Sequence, residues 1–326
     1  MKAVMSGVTV LRRGLLATLL LALPALAQDW PTRPVRMILP FAAGGAIDSA
    51  SRALQPRLSE ILGQPVVMEN RTGAGGSIAA GVVAASAPDG YTLLMDATSH
   101  MLNPWLVRNL PFDYGRDLVP VTQFVIFPHV IAVKDALPVR TIEELVALAR
   151  ANPGTLTYGS PGNGTAGHIA GEFFRRCQDI QITHVPYRGG ADAVRDVAAG
   201  VIDIGSTTYL SMRSQLESGR ARPLAMMSAQ RLPALPNVPT LNESLCPGVV
   251  VDEWAGIFLR AGTPTAIVAR VHGALTQALA DQALRDRLLA IGAIPVGSST
   301  ADFAKLVRDG TESWGRVVRE AGIRAE

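Results

Sequence analysis

The sequence predicts an α/β protein of two lobes, and three observations predict it. From Val35 onward, short apolar runs alternate with amphipathic segments and glycine-rich turns, the pattern of strands joined by crossover helices. That pattern occurs twice in succession, as a repeat of form without a sequence period that would indicate a solenoid. Removing a 27-residue leader from 326 residues leaves 299, long enough for two domains that each bury a core.

The leader comes first. Lys2, Arg12 and Arg13 form a basic start, Leu15 to Leu23 an apolar stretch, and Ala25-Leu26-Ala27 a small-residue cleavage site, so residues 1–27 are expected to be a signal peptide cleaved after Ala27. The apolar run is too short to span a bilayer, which takes about 20 residues. Arg12-Arg13 lacks the flanking residues of a twin-arginine signal. The expected product is a soluble periplasmic protein. The net charge of +3 comes from the leader, whose three basic side chains face no acidic ones; the remaining 27 basic and 27 acidic residues balance. A neutral chain without a Lys/Arg run offers no electrostatic footprint for nucleic acid or an anionic membrane.

Val35 to Leu39 reads as the first strand. Ile47, Ala50, Leu54, Leu58 and Ile61 have helical spacing, ended by Gly63 and Pro65, with Pro56 expected to kink or split the helix. Val66 to Glu69 is a second strand, Ser77 to Ala85 a helix, and Tyr91 to Met95 a third strand after the Pro88-Asp89-Gly90 turn. The second unit opens with a strand at Val125 to Val133 and a helix capped by Thr141-Ile142-Glu143-Glu144. Strands at Leu156 to Tyr158, Gln181 to Val185 and Ile202 to Ile204 follow, with helices near 165–177 and 191–199 between them. Residues 229–248 carry Pro233, Pro236, Pro239 and Pro247 and read as a connecting arm. Trp254 to Leu259 is a strand, Thr263-Pro264 an N-cap with proline first in the helix, and helices near 264–280, 282–291 and 301–320 complete the chain. Phe303, Leu306 and Val307 should pack on the first sheet. Lobe 1 is thus expected to comprise 28–124 and 250–326, and lobe 2 125–249.

Each half carries a glycine-rich strand-to-helix turn. The first is Pro40-Phe41-Ala42-Ala43-Gly44-Gly45-Ala46-Ile47-Asp48, where glycines let the backbone approach a ligand and the N–H groups of the next helix face the crevice. An anion is the natural guest there, and Asp48 either caps the helix or holds the loop. The second is Ser160-Pro161-Gly162-Asn163-Gly164-Thr165-Ala166-Gly167-His168, which contains a literal G-x-G-x-x-G. The next strand ends His184-Val185-Pro186-Tyr187, without an acid for a ribose, so a carboxylate held by N–H groups and Thr165 fits better than a dinucleotide.

Enzyme signatures are missing. Ser160 lacks the frame of a nucleophile elbow, there is no H-E-x-x-H or Walker A sequence, and beyond the leader the only lysines are Lys134 and Lys305. His100, His129, His168, His184 and His272 stand singly, and neither they nor the two cysteines form a metal pattern. Cys177 and Cys246 are either a disulfide, which a periplasmic setting permits, or two separate buried thiols.

At these residues the chain resembles the periplasmic substrate-binding receptors of tripartite tricarboxylate transporters, the Bug receptors. The resemblance covers Pro40-Phe41, Gly44-Gly45 and Asp48; Glu69-Asn70-Arg71 and Gly73-Ala74-Gly75-Gly76; His100 with Asn103-Pro104; and Tyr158-Gly159-Ser160 with Gly162, Gly164 and His168. It continues through His184-Val185-Pro186-Tyr187-Arg188-Gly189, Gly200, Asp203, Trp254 and Ala261-Gly262-Thr263-Pro264. It implies a type II periplasmic-binding-protein fold, with two α/β lobes joined by crossover strands and a ligand cleft between them. It also implies a ligand carboxylate held largely by backbone groups and two ordered waters, at Phe41, Ala43, Gly44, Gly45, Asp48 and Thr98 of one lobe and Ser160, Gly162, Gly164, Thr165, His168, Tyr187 and Asp203 of the other.

Ile47 and Asp96 are expected to set selectivity: Ile47 stands where a hydroxyl residue is common, and Asp96 ends a strand facing the crevice, placed to receive a ligand ammonium or hydroxyl. The expected function is capture of a small carboxylate, whether dicarboxylate, acidic amino acid or aromatic acid, for a tripartite transporter in the cytoplasmic membrane. The alternatives are a sensor of the same fold signalling to a histidine kinase, and a hydrolase or lyase using His168 or His184. No catalysis, cofactor or metal is expected, and the protein is expected to be a monomer.

Overall fold

The computed structural model describes residues 30–321. The leader reading lies outside the described residues, and no helix among the described residues is long and apolar enough to cross a membrane. Met1–Thr32 and Arg33–Glu326 group as separate units, and the second contains both sheets.

The larger sheet is built from the chain's two ends. Its strands are β1 (Val35–Leu39), β2 (Val66–Asn70), β3 (Thr92–Ala97), β4 (Leu118–Phe127), β10 (Glu253–Arg260) and β11 (Ile294–Pro295), in the order β11-β4-β10-β3-β1-β2. β1 pairs parallel with β2 and β3, while β10 runs antiparallel between β3 and β4. The smaller sheet is continuous in sequence: β5 (His129–Lys134), β6 (Thr157–Ser160), β7 (Thr183–Pro186), β8 (Ile204–Thr208) and β9 (Ala221–Met226), in the order β7-β6-β8-β5-β9. Each sheet has its own apolar core, one around Ile38, Leu94, Trp254, Phe258 and Phe303, the other around Ile131, Tyr158, Phe174, Ile204 and Leu224.

The helices follow from the same spacing. α1 (Ala46–Leu62) buries Ala50, Leu54 and Leu58 and ends on Gly63, which takes the left-handed conformation at φ 68° that stops helices. It runs unbroken through Pro56, where a kink or split was expected; the loss is one intrahelical bond, and the buried face outweighs it. α2 (Ser77–Ala84) and α3 (Ser99–Leu106) flank β3, and α4 (Tyr114–Asp117) leads into β4. In the smaller lobe α5 (Ile142–Ala151) starts at Thr141, whose side chain accepts from Glu144 N. α6 (Ala166–Cys177), α7 (Gly190–Ala198) and α8 (Tyr209–Glu217) follow β6, β7 and β8. α9 (Thr265–Leu279), α10 (Gln282–Ala290) and α11 (Thr300–Ala321) return to the larger sheet. Phe303 of α11 lies so close over β10 that a Cβ on Gly256 would stand 2.1 Å from its ring, which is why the strand carries glycine there.

Two local expectations are corrected. The run Val125 to Val133 is not one strand: Val125 to Phe127 stay in the larger sheet, paired with β10 and β11, and the smaller sheet begins at His129. Pro128 separates them, having no N–H for a ladder. Thr263 is not the N-cap of α9; its hydroxyl donates to the Arg260 carbonyl at 2.7 Å, and the helix starts one residue later with Pro264 as its cap. Residues 229–248 form the expected arm, with an isolated bridge between Met226 and Thr240. A disulfide joins Cys177 at the end of α6 to Cys246 in the arm, with Cα atoms 5.9 Å apart. Closing a loop of 69 residues removes roughly 4 kcal/mol of unfolded-chain freedom in the chain-entropy account.

Candidate functional site

Where β1 ends, the chain turns through Gly44, at φ 82°, into α1, whose N-cap Gly45 makes no side-chain capping bond. The first-turn N–H groups of α1 are therefore left to whatever lies in front of them. Asp48 is not in front of them. Its carboxylate accepts from Gly44 N at 3.0 Å, Arg52 Nε at 2.8 Å and Asn70 Nδ2 at 3.1 Å, and Asn70 also donates to the Phe41 carbonyl at 2.9 Å. Burial alone would raise the Asp48 pKa, but these bonds outweigh it and hold the carboxyl below the usual range. Asp48 braces the turn. Ala43 and Gly44 are exposed on its outer side, whereas Phe41, Gly45 and Ile47 are buried.

The turn between β6 and α6 is braced just as thoroughly. Ser160 Oγ accepts from Gly162 N at 3.2 Å and lies 2.7 Å from His184 Nε2. Thr165 Oγ1 donates to the Gly162 carbonyl at 2.7 Å and caps His168 N at 3.4 Å, and Gly164 N donates to His168 Nδ1 at 3.2 Å. His168 stacks on His184 with ring centroids 4.3 Å apart, and His184 on Tyr158 at 4.7 Å. Burial lowers His168, and burial together with the neighbouring His168 pushes His184 down to about 3. Both rings are neutral near pH 7. A buried serine beside so weak a base is no activated nucleophile.

The unspent donors lie one crossover further on. A small, half-open cavity of about 30 Å³ is lined by Phe41, Gly45, Ala46 and Ile47 from one lobe, Pro161, Gly190, Thr207, Thr208 and Ser211 from the other, and Glu253 at the start of β10. The Thr207 hydroxyl in this wall is buried without a hydrogen-bond partner among the described residues. Gly190 opens α7 so close to it that a Cβ would stand 2.8 Å from Thr207 Oγ1 and 2.9 Å from Ser211 Oγ. Thr208 and Ser211 are paired, Oγ1 to Oγ at 3.0 Å. Two helix N-termini without side-chain caps and one unpaired hydroxyl thus meet at one cavity. Positive helix ends facing one cavity favour an anion. A groove of about 260 Å³ adjoins it, lined by Phe41, Gly73 to Gly76, Pro161 to Asn163 and Pro186 to Arg188.

A larger cavity of about 710 Å³ lies between α8, the arm and α10. Its apolar walls include Leu216, Leu232, Leu235 and Leu289, and its charged members Arg213 and Glu217 pair with each other. Size favours it, but no set of free donors converges there, so the smaller cavity is the candidate site.

Of the residues expected at the site, Phe41, Gly45 and Ile47 line the small cavity, and Gly162 and Tyr187 line the adjoining groove. Gly164 packs against Asn103 and Leu106. Tyr187 spends its hydroxyl on Asp196 at 2.9 Å. Asp203 lies elsewhere, before β8, bound to Lys134 at 2.7 Å and to Thr157 N at 2.8 Å. Asp96 does not face the crevice: it is fully buried, with Oδ2 2.8 Å from His100 Nδ1 and Oδ1 accepting from Ala97 N. Thr98 accepts from Trp254 N through its hydroxyl and gives its own N–H to Glu253 Oε1, so it pins β10 rather than pointing at a guest. Among the described residues no group of three or more His, Cys, Asp or Glu could hold a metal ion.

Sequence reading missed Gly190, Thr207 and Glu253. The signal for the first was present, since Arg188-Gly189-Gly190 ahead of a helix repeats the form of Gly44-Gly45. Nothing local distinguishes Thr207 from its neighbours in Ser206-Thr207-Thr208.

The family model described as tripartite tricarboxylate transporter family receptor matches residues 50–323. Protein BugT of Bordetella pertussis is 33% identical over 311 residues, covering 95% of each chain. Among solved structures, Rpa4515 of R. palustris with adipate is 35% identical with a TM-score of 0.87, covering 90% of this chain and 99% of that one. MatC from Rhodopseudomonas palustris with bound malate is 29% identical with a TM-score of 0.84, covering 89% and 100%.

Proposed function

The chain belongs to the tripartite tricarboxylate transporter receptor family, and from that premise we propose that it captures a small carboxylate in the periplasm and presents it to the membrane subunits of such a transporter. The observation that carries this reading is the unpaired Thr207 hydroxyl beside Gly190, at a cavity faced by the N-termini of α1 and α7. A carboxylate there accepts from backbone N–H groups and from Thr207 without needing a lysine or arginine. Gly45 to Ile47 supply one side of the grip, Gly190 and Thr207 the other, and Phe41 and Pro161 close the walls. Asp48, Ser160, Thr165 and His168 hold the turns in shape. That relatives were solved with adipate and malate supports the carboxylate class.

In this reading the lobes are 28–124 with 250–326, and 125–249, refined so that the crossing falls at Pro128. Closure is a population shift, driven only by contacts the ligand makes better when the lobes meet. The protein performs no chemistry on its cargo, acts as a monomer, and works after removal of residues 1–27.

Native mass spectrometry of protein purified from periplasm, followed by a thermal-shift screen of carboxylates, amino acids and aromatic acids, tests the proposal. Ligand at 100 times its dissociation constant stabilises the fold by about 2.7 kcal/mol, a readily measured shift. A retained acid or a shift confined to one acid class is expected. Folded, ligand-free protein that shifts with no acid would refute carboxylate capture.

A further inference from the structure

Glu253 is the one ionisable side chain lining the small cavity. It is buried to 5% exposure, and its Oε1 accepts from Thr98 N at 2.8 Å and Trp254 N at 3.2 Å. Among the described residues no lysine, arginine or histidine forms an ion pair with it. The neighbouring acids offer no relief. Asp96 on β3 acts on it as a like charge while bound to His100 of α3, and Asp252, the next residue back along the chain, has a buried Oδ1 without a partner. Burial first, and Asp96 in addition, push Glu253 up to about 7, so the carboxylate form is costly but accessible near neutral pH.

The cavity therefore has opposite electrostatic walls. Helix N-termini and Thr207 attract an anionic group, and a buried acid lacking a counter-ion stands in the same wall. We propose that Glu253 is a ligand-contacting selectivity residue that receives an ammonium group, making the cargo a zwitterionic amino acid rather than a plain mono- or dicarboxylate. This rests on the carboxylate-capture reading and narrows it. An ammonium supplies the missing counter-charge to a carboxyl that is itself buried, where a paired charge is tolerated and an unpaired one is not. A second ligand carboxylate in its place would meet a like charge or require Glu253 to stay protonated. The role expected of Asp96 thus passes to a residue 157 positions later in the sequence, brought beside β3 by the antiparallel insertion of β10.

The test is calorimetric titration of ligand-free protein purified from periplasm with matched pairs differing only in the ammonium: propionate and alanine, succinate and aspartate, glutarate and glutamate. Wild type and Glu253→Gln are compared at pH 6 and pH 8. Glutamine retains an oxygen to accept from Thr98 and Trp254, and circular dichroism checks that the variant folds. In wild type the amino member of at least one pair should bind about tenfold or more tighter, as a hydrogen bond between charged groups requires. That ratio should grow toward pH 8 and collapse toward one in Glu253→Gln, with plain acids bound undiminished. Plain acids binding as tightly as their amino partners in wild type overturn the proposal and leave carboxylate capture standing, as does a ratio that survives in Glu253→Gln. If no member of any pair binds, the proposal falls, and the wider acid screen decides carboxylate capture. The wild-type ratios decide the matter even if the variant does not fold.

Discussion

The smaller lobe contains two glycine-rich turns of similar outline that behave in opposite ways. The turn before α6 spends its polar groups on itself: Ser160 on Gly162 and His184, Thr165 on Gly162 and His168, His168 on Gly164. The turn before α7 has fewer polar side chains and leaves one of its neighbours, Thr207, without a partner. The first is a built scaffold and the second a wall with spare bonding capacity. Glycines mark where a backbone comes close. A buried donor left unspent marks what it comes close for.

That contrast can be broken by experiment, most forcefully at Gly190. Gly190→Ala places a methyl within 3 Å of Thr207 and Ser211, closing the cavity wall, so affinity for the native acid should fall about 100-fold or more, with overpacking lowering the melting temperature by a few degrees. Titration calorimetry reads this, and unchanged affinity would remove α7 from the site. Thr207→Val should weaken binding about tenfold and leave the ligand-free protein equally or more stable, because it removes an unpaired buried hydroxyl. A large loss of stability instead would mean that the hydroxyl has a structural partner.

His184→Gln should move binding least, within about threefold, and alter acid stability. Burial holds His184 and His129 at about 3 and about 4, below their unfolded value near 6.5, so the unfolded chain takes up protons first as pH falls. Stability is retained above pH 6.5 and lost as pH drops toward these values, by roughly 1.4 kcal/mol per pH unit for each histidine. Glu253, raised to about 7, works in the other direction between pH 4.5 and 7. Denaturant melts at pH 7 and pH 5 should show a smaller acid loss in His184→Gln than in wild type. An identical loss would mean that His184 does not titrate on unfolding.

The sequence made most of the architecture legible. The alternation from Val35, the stop at Gly63, the cap at Thr141 and the arm of prolines each sit where local chemistry requires. α3, α8 and β9 were not read, and β4 was cut short, because their polar and apolar residues lack a clean period. The site was half legible. Phe41, Gly45 and Ile47 followed from a turn before a helix, and Asp48 holds that turn in one of its two expected roles, but Asp96 was expected to face the crevice and is bound from within. Thr207 and Glu253 belong to the site only through tertiary neighbours, and no local pattern carries that information.

The placement of β10 has a consequence for how the molecule is assembled. Strands of the smaller sheet all lie between residues 129 and 226, whereas the larger sheet has a gap between β3 and β4 until residues 253–260 fill it. A chain made from its N-terminus can finish the smaller lobe while the larger one still waits for a central strand. The first residue of that late strand is Glu253. The strand that carries it is therefore added after a folded platform for it already stands.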